Sequence, residues 1–172
     1  MLSRTVFIIA LSTFAGPVRA APSGSPKTSI ELYNQGVSLM RARKFEQAQA
    51  AFEQSLHKRS LAEAHNNLAY CLRKQGETHF DAAVRHYDLA IEMKPKMPQP
   101  YMYRGVLHML MGHRRKAEAD LGRLEALGEE RLARELSWVL AHGKEKEPEQ
   151  FFGVSDVLPL RRGTKPPGLL GE

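Results

Sequence analysis

The sequence of 172 residues holds one cysteine, Cys71. No disulfide can close within the chain, and neither a paired-cysteine metal site nor a CxxCH haem site exists. Cys71 sits between Tyr70 and Leu72 in a helical pattern, where a small packed thiol is expected. Catalytic signatures are missing too. No G-x-S-x-G, P-loop or glycine-rich dinucleotide turn occurs. Single Asp and Glu residues fall on helix faces at pairing distance from Lys or Arg. The sequence therefore predicts no enzyme and no cofactor. None of the seven histidines has HExxH spacing or a cysteine partner. His79 and His86 could share a helix face, His108 and His113 flank a turn, and His57, His65 and His142 are scattered, so no metal site is expected.

The positive charge also lacks pattern. The formal charge is +6 and the isoelectric point about 9.6. Arg4 and Arg19 lie in a segment expected to be removed, leaving +4. The other cations alternate with Glu along helices, and no Lys/Arg stripe with interleaved aromatics appears. Nucleic acid is not an expected partner.

What is present begins at the first residue. Residues 1–20, MLSRTVFIIALSTFAGPVRA, have a basic start, an apolar run from about Thr5 to Ala15, and small residues at Val18 and Ala20. This is the layout of a secretory signal peptide. The run is too short for a bilayer span, which needs ~20 residues, so no stable span is expected after cleavage. The predicted location is extracytoplasmic, periplasmic or secreted. Residues 21–28 read as a Pro/Ser/Gly linker.

Residues 29–128 then carry a helical-hairpin pattern three times, over about 29–61, 62–97 and 98–128. Thr28-Ser29-Ile30-Glu31 fits a capping box, and Ser60-Leu61-Ala62-Glu63 repeats it. Pro98 and Pro100 suit the third start, where a preset φ is an advantage. Apolar residues recur at helical spacing: Leu32, Gly36 and Leu39, then Phe45, Ala48 and Phe52; Leu68, Ala69 and Leu72, then Phe80, Ala83, Tyr87 and Ala90; Tyr101, Gly105 and His108, then Ala117, Leu121 and Leu124. Mid-helix glycine costs ~0.5–1 kcal/mol against alanine, so Gly36 and Gly105 need a packing reason. Close approach of paired helices supplies one, with Phe52, Tyr87 and Leu121 expected to reach the neighbouring pair.

On these residues the chain resembles the tetratricopeptide repeat family, whose unit is a 34-residue helix-turn-helix. Ala48-x3-Phe52, Ala83-x3-Tyr87 and Ala117-x3-Leu121 follow its second-helix signature, Gly76 and Gly112 its turn, and Pro95 its terminating proline. Arg43 stands where the turn glycine is usual, Ser60 where the proline is, and about two extra residues fall around Glu77, Thr78 and His79. The resemblance implies an all-α solenoid of three stacked hairpins that binds a protein or peptide along its first helices. Residues 129–143 form a seventh, capping helix with Leu132, Leu136, Val139 and Leu140 as its stripe, Trp138 partly buried and Gly143 as a left-handed stop. Residues 144–172 are tail composition, with apolar islands at Phe151-Phe152-Gly153-Val154 and Val157-Leu158-Pro159-Leu160.

The face of the first helices opposite the packing stripe defines a candidate groove. It runs Tyr33, Asn34, Val37, Met40 and Arg41; Asn66, Asn67, Tyr70, Arg73 and Lys74; Met102, Tyr103, Val106 and Met109. Tyr and Met give adaptable apolar contact, Asn can bond a peptide backbone, and the cations favour acidic residues. A family subclass clamps a carboxylate with Lys, Asn and Arg; only Asn67 stands at such a position, while Tyr33, Val37, Gln99 and Tyr103 fill the others, so that clamp is not expected here. The leading expectation is a non-catalytic, exported interaction adaptor or scaffold. A self-associating structural subunit of an envelope complex and a histidine-based metal-binding module are the alternatives.

Overall fold

The computed structural model describes residues 26–146 and 158–160. The signal-peptide expectation, most of the linker, the first apolar island and most of the tail lie outside the described residues. Among the described residues there are seven α-helices and no strand: α1 Ser29–Arg41, α2 Phe45–Lys58, α3 Ala62–Lys74, α4 Phe80–Met93, α5 Gln99–Leu110, α6 Arg114–Ala126 and α7 Glu130–His142. The fold is all-α. Helix α1 packs on α2, α3 on α4 and α5 on α6; α2 meets α3 and α4 meets α5, and α7 covers α5 and α6.

The first helix starts as its sequence dictates. Thr28 Oγ1 accepts from the Glu31 amide at 3.2 Å, and the Thr28 amide donates to Glu31 Oε2 at 2.6 Å. The second capping box does not form. Helix α3 has Leu61 at its N-cap with no side-chain bond. Ser60 Oγ instead meets His65 Nε2 at 3.2 Å and Met93 Sδ at 3.5 Å, while Glu63 pairs with Lys94. Helix α4 brings in Met93 and Lys94, so a tertiary neighbour outcompetes the local cap. Pro98 is the N-cap of α5, with Pro100 inside its first turn.

Turns follow backbone sterics. Gly112, Gly128 and Gly143 adopt φ of 75°, 73° and 68°, a region that L side chains rarely enter. At the first hairpin Arg43 takes that conformation itself, with φ 58°. The extra residues of the second hairpin form a 3-10 turn at Glu77–His79.

The two mid-helix glycines have a packing cause. A Cβ on Gly36 would lie 2.6–2.9 Å from three carbons of the Phe52 ring. Phe52 thus lies over a glycine of its own hairpin, in the same core cluster as Ala64 and Leu68 of the next. A Cβ on Gly105 would lie 2.5 Å from Leu136 Cδ2 and 3.3 Å from Asp120 Cβ. One core cluster runs through α1–α4 with Tyr103 and Leu107 of α5; a second joins α5 and α6 to α7 around Leu124, Leu132 and Leu136.

Candidate interaction face

Helices α1, α3 and α5 lie side by side, joined by polar and aromatic contacts. Asn67 Nδ2 donates to the Tyr33 hydroxyl at 3.1 Å, and Asn66 Nδ2 donates to Asn67 Oδ1 at 3.0 Å. The rings of Tyr70 and Tyr103 meet edge-on at 5.1 Å, and Phe45 meets Tyr70 at 6.1 Å. The Arg73 guanidinium lies 5.2 Å from the Tyr70 centroid and 5.3 Å from that of Tyr103, a desolvated cation–π setting. Its Nη1 reaches Glu145 Oε1 at 2.5 Å, and Lys74 Nζ stands 3.6 Å from the other carboxylate oxygen. Burial opposes the Arg73 charge, but Tyr87 and the Glu145 carboxylate reverse that, so its pKa is raised. Burial pushes the Tyr87 hydroxyl up as well. The centre of the face therefore holds a permanent positive charge.

A second polar anchor lies on α1. Asn34 Nδ2 donates to the Leu158 carbonyl at 2.8 Å, and the Leu158 amide donates to Asn34 Oδ1 at 2.8 Å. The Leu158 side chain packs against the larger core cluster. Glu145 and Leu158 both belong to the tail, so two points of this face are met by the chain itself.

The expectation of a solvent-facing groove needs correction. Tyr33, Val37, Met40, Asn66, Asn67, Tyr70, Arg73, Met102, Tyr103 and Val106 are all buried; Asn34, Lys74 and Met109 are half-buried, and Arg41 is exposed. Met102 and Val106 belong to the cluster shared with α7. The physical reason is that α5 packs against α6 and α7, and α3 against α2 and α4, so neighbouring helices cover most of these side chains. Tyr33 is held by Phe52, at 5.7 Å between centroids, as well as by Asn67. Sequence reasoning missed Glu145 and the backbone of Leu158. The VLPL island was the one signal that pointed there.

Among the histidines, tertiary packing makes a pair the spacing does not reveal. His65 and His86 stack at 5.2 Å, with their Nδ1 atoms 2.9 Å apart. Burial and then His86 push His65 down to about 4, and burial followed by Arg85 lowers His86. His108 is likewise pushed down to about 4 by burial and by Arg104. Among the described residues no three His, Cys, Asp or Glu side chains converge as a metal site would require. Burial, then Glu46, raises the Cys71 thiol to about 12, which leaves it un-ionised and unreactive at neutral pH. No described helix is long and apolar enough to cross a membrane.

Comparison with solved structures finds PcrH, in its complex with the chaperone binding region of PopB, with a TM-score of 0.57 and 21% identity over 71% of this chain and 98% of that one. That likeness is one of fold. Residues 33–98, from within α1 to the N-cap of α5, match the family model described as tetratricopeptide repeat.

Proposed function

We propose that this chain is a non-catalytic adaptor, exported from the cytoplasm, that binds a protein or peptide segment along the face of α1, α3 and α5. The observation that carries the reading is Arg73. Its guanidinium, seated between two tyrosine rings and beside Lys74, meets a carboxylate that comes from outside the repeat hairpins. A segment that pairs acidic with apolar residues suits this surface. The PcrH structure, in which a helical-repeat chain holds a region of another protein, supports the same reading. Export to the periplasm or beyond rests on residues 1–20, and the mass of the mature amino terminus tests it: cleavage after Ala20 is expected.

The binding test is crosslinking of the full chain in its native host, followed by mass spectrometry, against the charge-reversed pair Arg41→Glu with Lys74→Glu. Both side chains keep contact with solvent, so the helical circular dichroism should persist while crosslinks to the partner fall by about tenfold, the loss of ~1.4 kcal/mol. Undiminished crosslinking to the same partner overturns the site. Self-association is a second reading, favoured by the exposed Leu89 and Met93 one turn apart on α4. Sedimentation that shows a concentration-independent monomer eliminates it.

A further inference from the structure

Asn34 and Leu158 form a contact of a particular chemical kind. The carboxamide donates and accepts at once, through Nδ2 to the Leu158 carbonyl and through Oδ1 from the Leu158 amide, both at 2.8 Å. A side chain that satisfies both backbone groups of one residue reads the main chain rather than the side chain attached to it. The following residue, Pro159, biases Leu158 toward extended backbone before it docks, which lowers the ordering cost of the contact. The apolar part is loosely made. Leu158 is half-buried against the core, Leu160 is 55% exposed, and a cavity of about 510 Å3 opens between residues 158–160 and Ile30, Leu61 and Lys94. Unfilled space on one side of a contact forfeits its dispersion energy, so this segment is held by its two backbone bonds together with the one apolar contact that Leu158 makes with the core, and loss of that contact releases it.

We infer that residues 158–160 are an intramolecular placeholder, and that α1 carries at Asn34 a backbone-reading subsite for an extended partner segment with an apolar residue followed by proline. The inference rests on the proposed interaction function and specifies its ligand. Asn34 is half-buried, and leaving its amide without a partner is costly. The subsite is accordingly filled in both states, by the tail in the free chain and by the partner in the complex. The partner must displace the tail, and the tethered tail competes at an effective concentration in the millimolar range.

The probe is a fluorescent octapeptide with the sequence of residues 155–162, SDVLPLRR, added to the full chain and followed by anisotropy. Leu158→Asp weakens the tail's apolar contact without altering α1. The peptide should bind this variant at least about tenfold more tightly than it binds the natural chain, because a tethered competitor has been released. Asn34→Leu in the Leu158→Asp background should then cost at least about tenfold, since both backbone bonds are lost. Where Asn34→Leu disturbs the fold, Asn34→Asp keeps the shape, replaces the donor to the carbonyl with an acceptor-only carboxylate oxygen that repels it, and should weaken the peptide in the same direction. Equal affinity for the natural chain and the Leu158→Asp variant overturns the placeholder. Affinity unchanged by both Asn34 substitutions overturns the subsite. Peptide competition without any crosslinked partner sinks the adaptor reading and leaves the placeholder standing; a crosslinked partner without competition does the reverse.

Discussion

At the scale of single residues, glycine and histidine make the sharpest statements. Gly36 is required because the Phe52 ring occupies the place of its side chain. Gly36→Ala would gain ~0.5–1 kcal/mol of helix propensity on an open face, but forcing a methyl into a ring at 2.6 Å costs ~1–3 kcal/mol. The steric term wins, and a urea titration should show a lower midpoint with an unchanged slope. The histidines predict a pH dependence. His65 and His108 have folded-state pKa values of about 4, well below their ordinary 6.5. The unfolded chain therefore binds more protons than the folded one between those values, and stability falls as pH drops through that window. The melting temperature should decline from pH 6.5 to 4. His108→Gln should flatten that decline, and an unchanged profile would argue that the His108 site is hydrated.

At the scale of elements, the helices split into those set by local sequence and those set by their neighbours. The Thr28 box forms because Thr28 and Glu31 are each other's nearest partners. The Ser60 copy has the same residue types, but His65 of α3 and Met93 of α4 meet Ser60, and Lys94 at the end of α4 pairs with Glu63. Spacing cannot show such a competition. Helix α7 combines both influences. Its apolar stripe is legible, yet only packing shows that Leu136 fills the space over Gly105. Leu136 is fully buried, so Leu136→Ala should cost ~2–5 kcal/mol, as cavity-forming core substitutions do. A thermal melt checks this, with Ser137→Ala, on the exposed side of the same helix, as the near-neutral control.

At the scale of the whole molecule, the stack has one interior hairpin and two ends. The central pair of helices, α3 and α4, contacts hairpins on both sides, and among the described residues α3 contributes half of the buried polar and charged side chains, Asn66, Asn67 and Arg73. The far end is closed by α7, which supplies half of the second core cluster. Removing residues 129–172 should expose Tyr101, Met102, Val106 and Leu124 together and give a chain that aggregates or melts well below the full-length protein, because a terminal repeat needs a cover. Retention of the full melting temperature in that truncated chain would show α7 to be dispensable.

Periodicity, caps and turn glycines by themselves determined that this chain folds as stacked helical hairpins, because each is a short-range property and a helix is a short-range structure. The order of the hairpins, the turn positions and the covering helix are legible for the same reason. Which faces remain open was decided only by the tertiary structure. Tyr33, Val37, Met40, Tyr70 and Tyr103 sit on the first helices where a groove was expected, yet all are buried. Tyr33 meets Phe52 on α2 and Asn67 on α3, and Tyr70 meets Phe45 on α2 and Tyr103 on α5. The tail contact is the extreme case: Asn34 and Leu158 are 124 residues apart in sequence, and the Asn34 carboxamide meets backbone atoms of Leu158 that carry no residue-specific signal. A surface is defined by what covers it, and no local pattern encodes the cover.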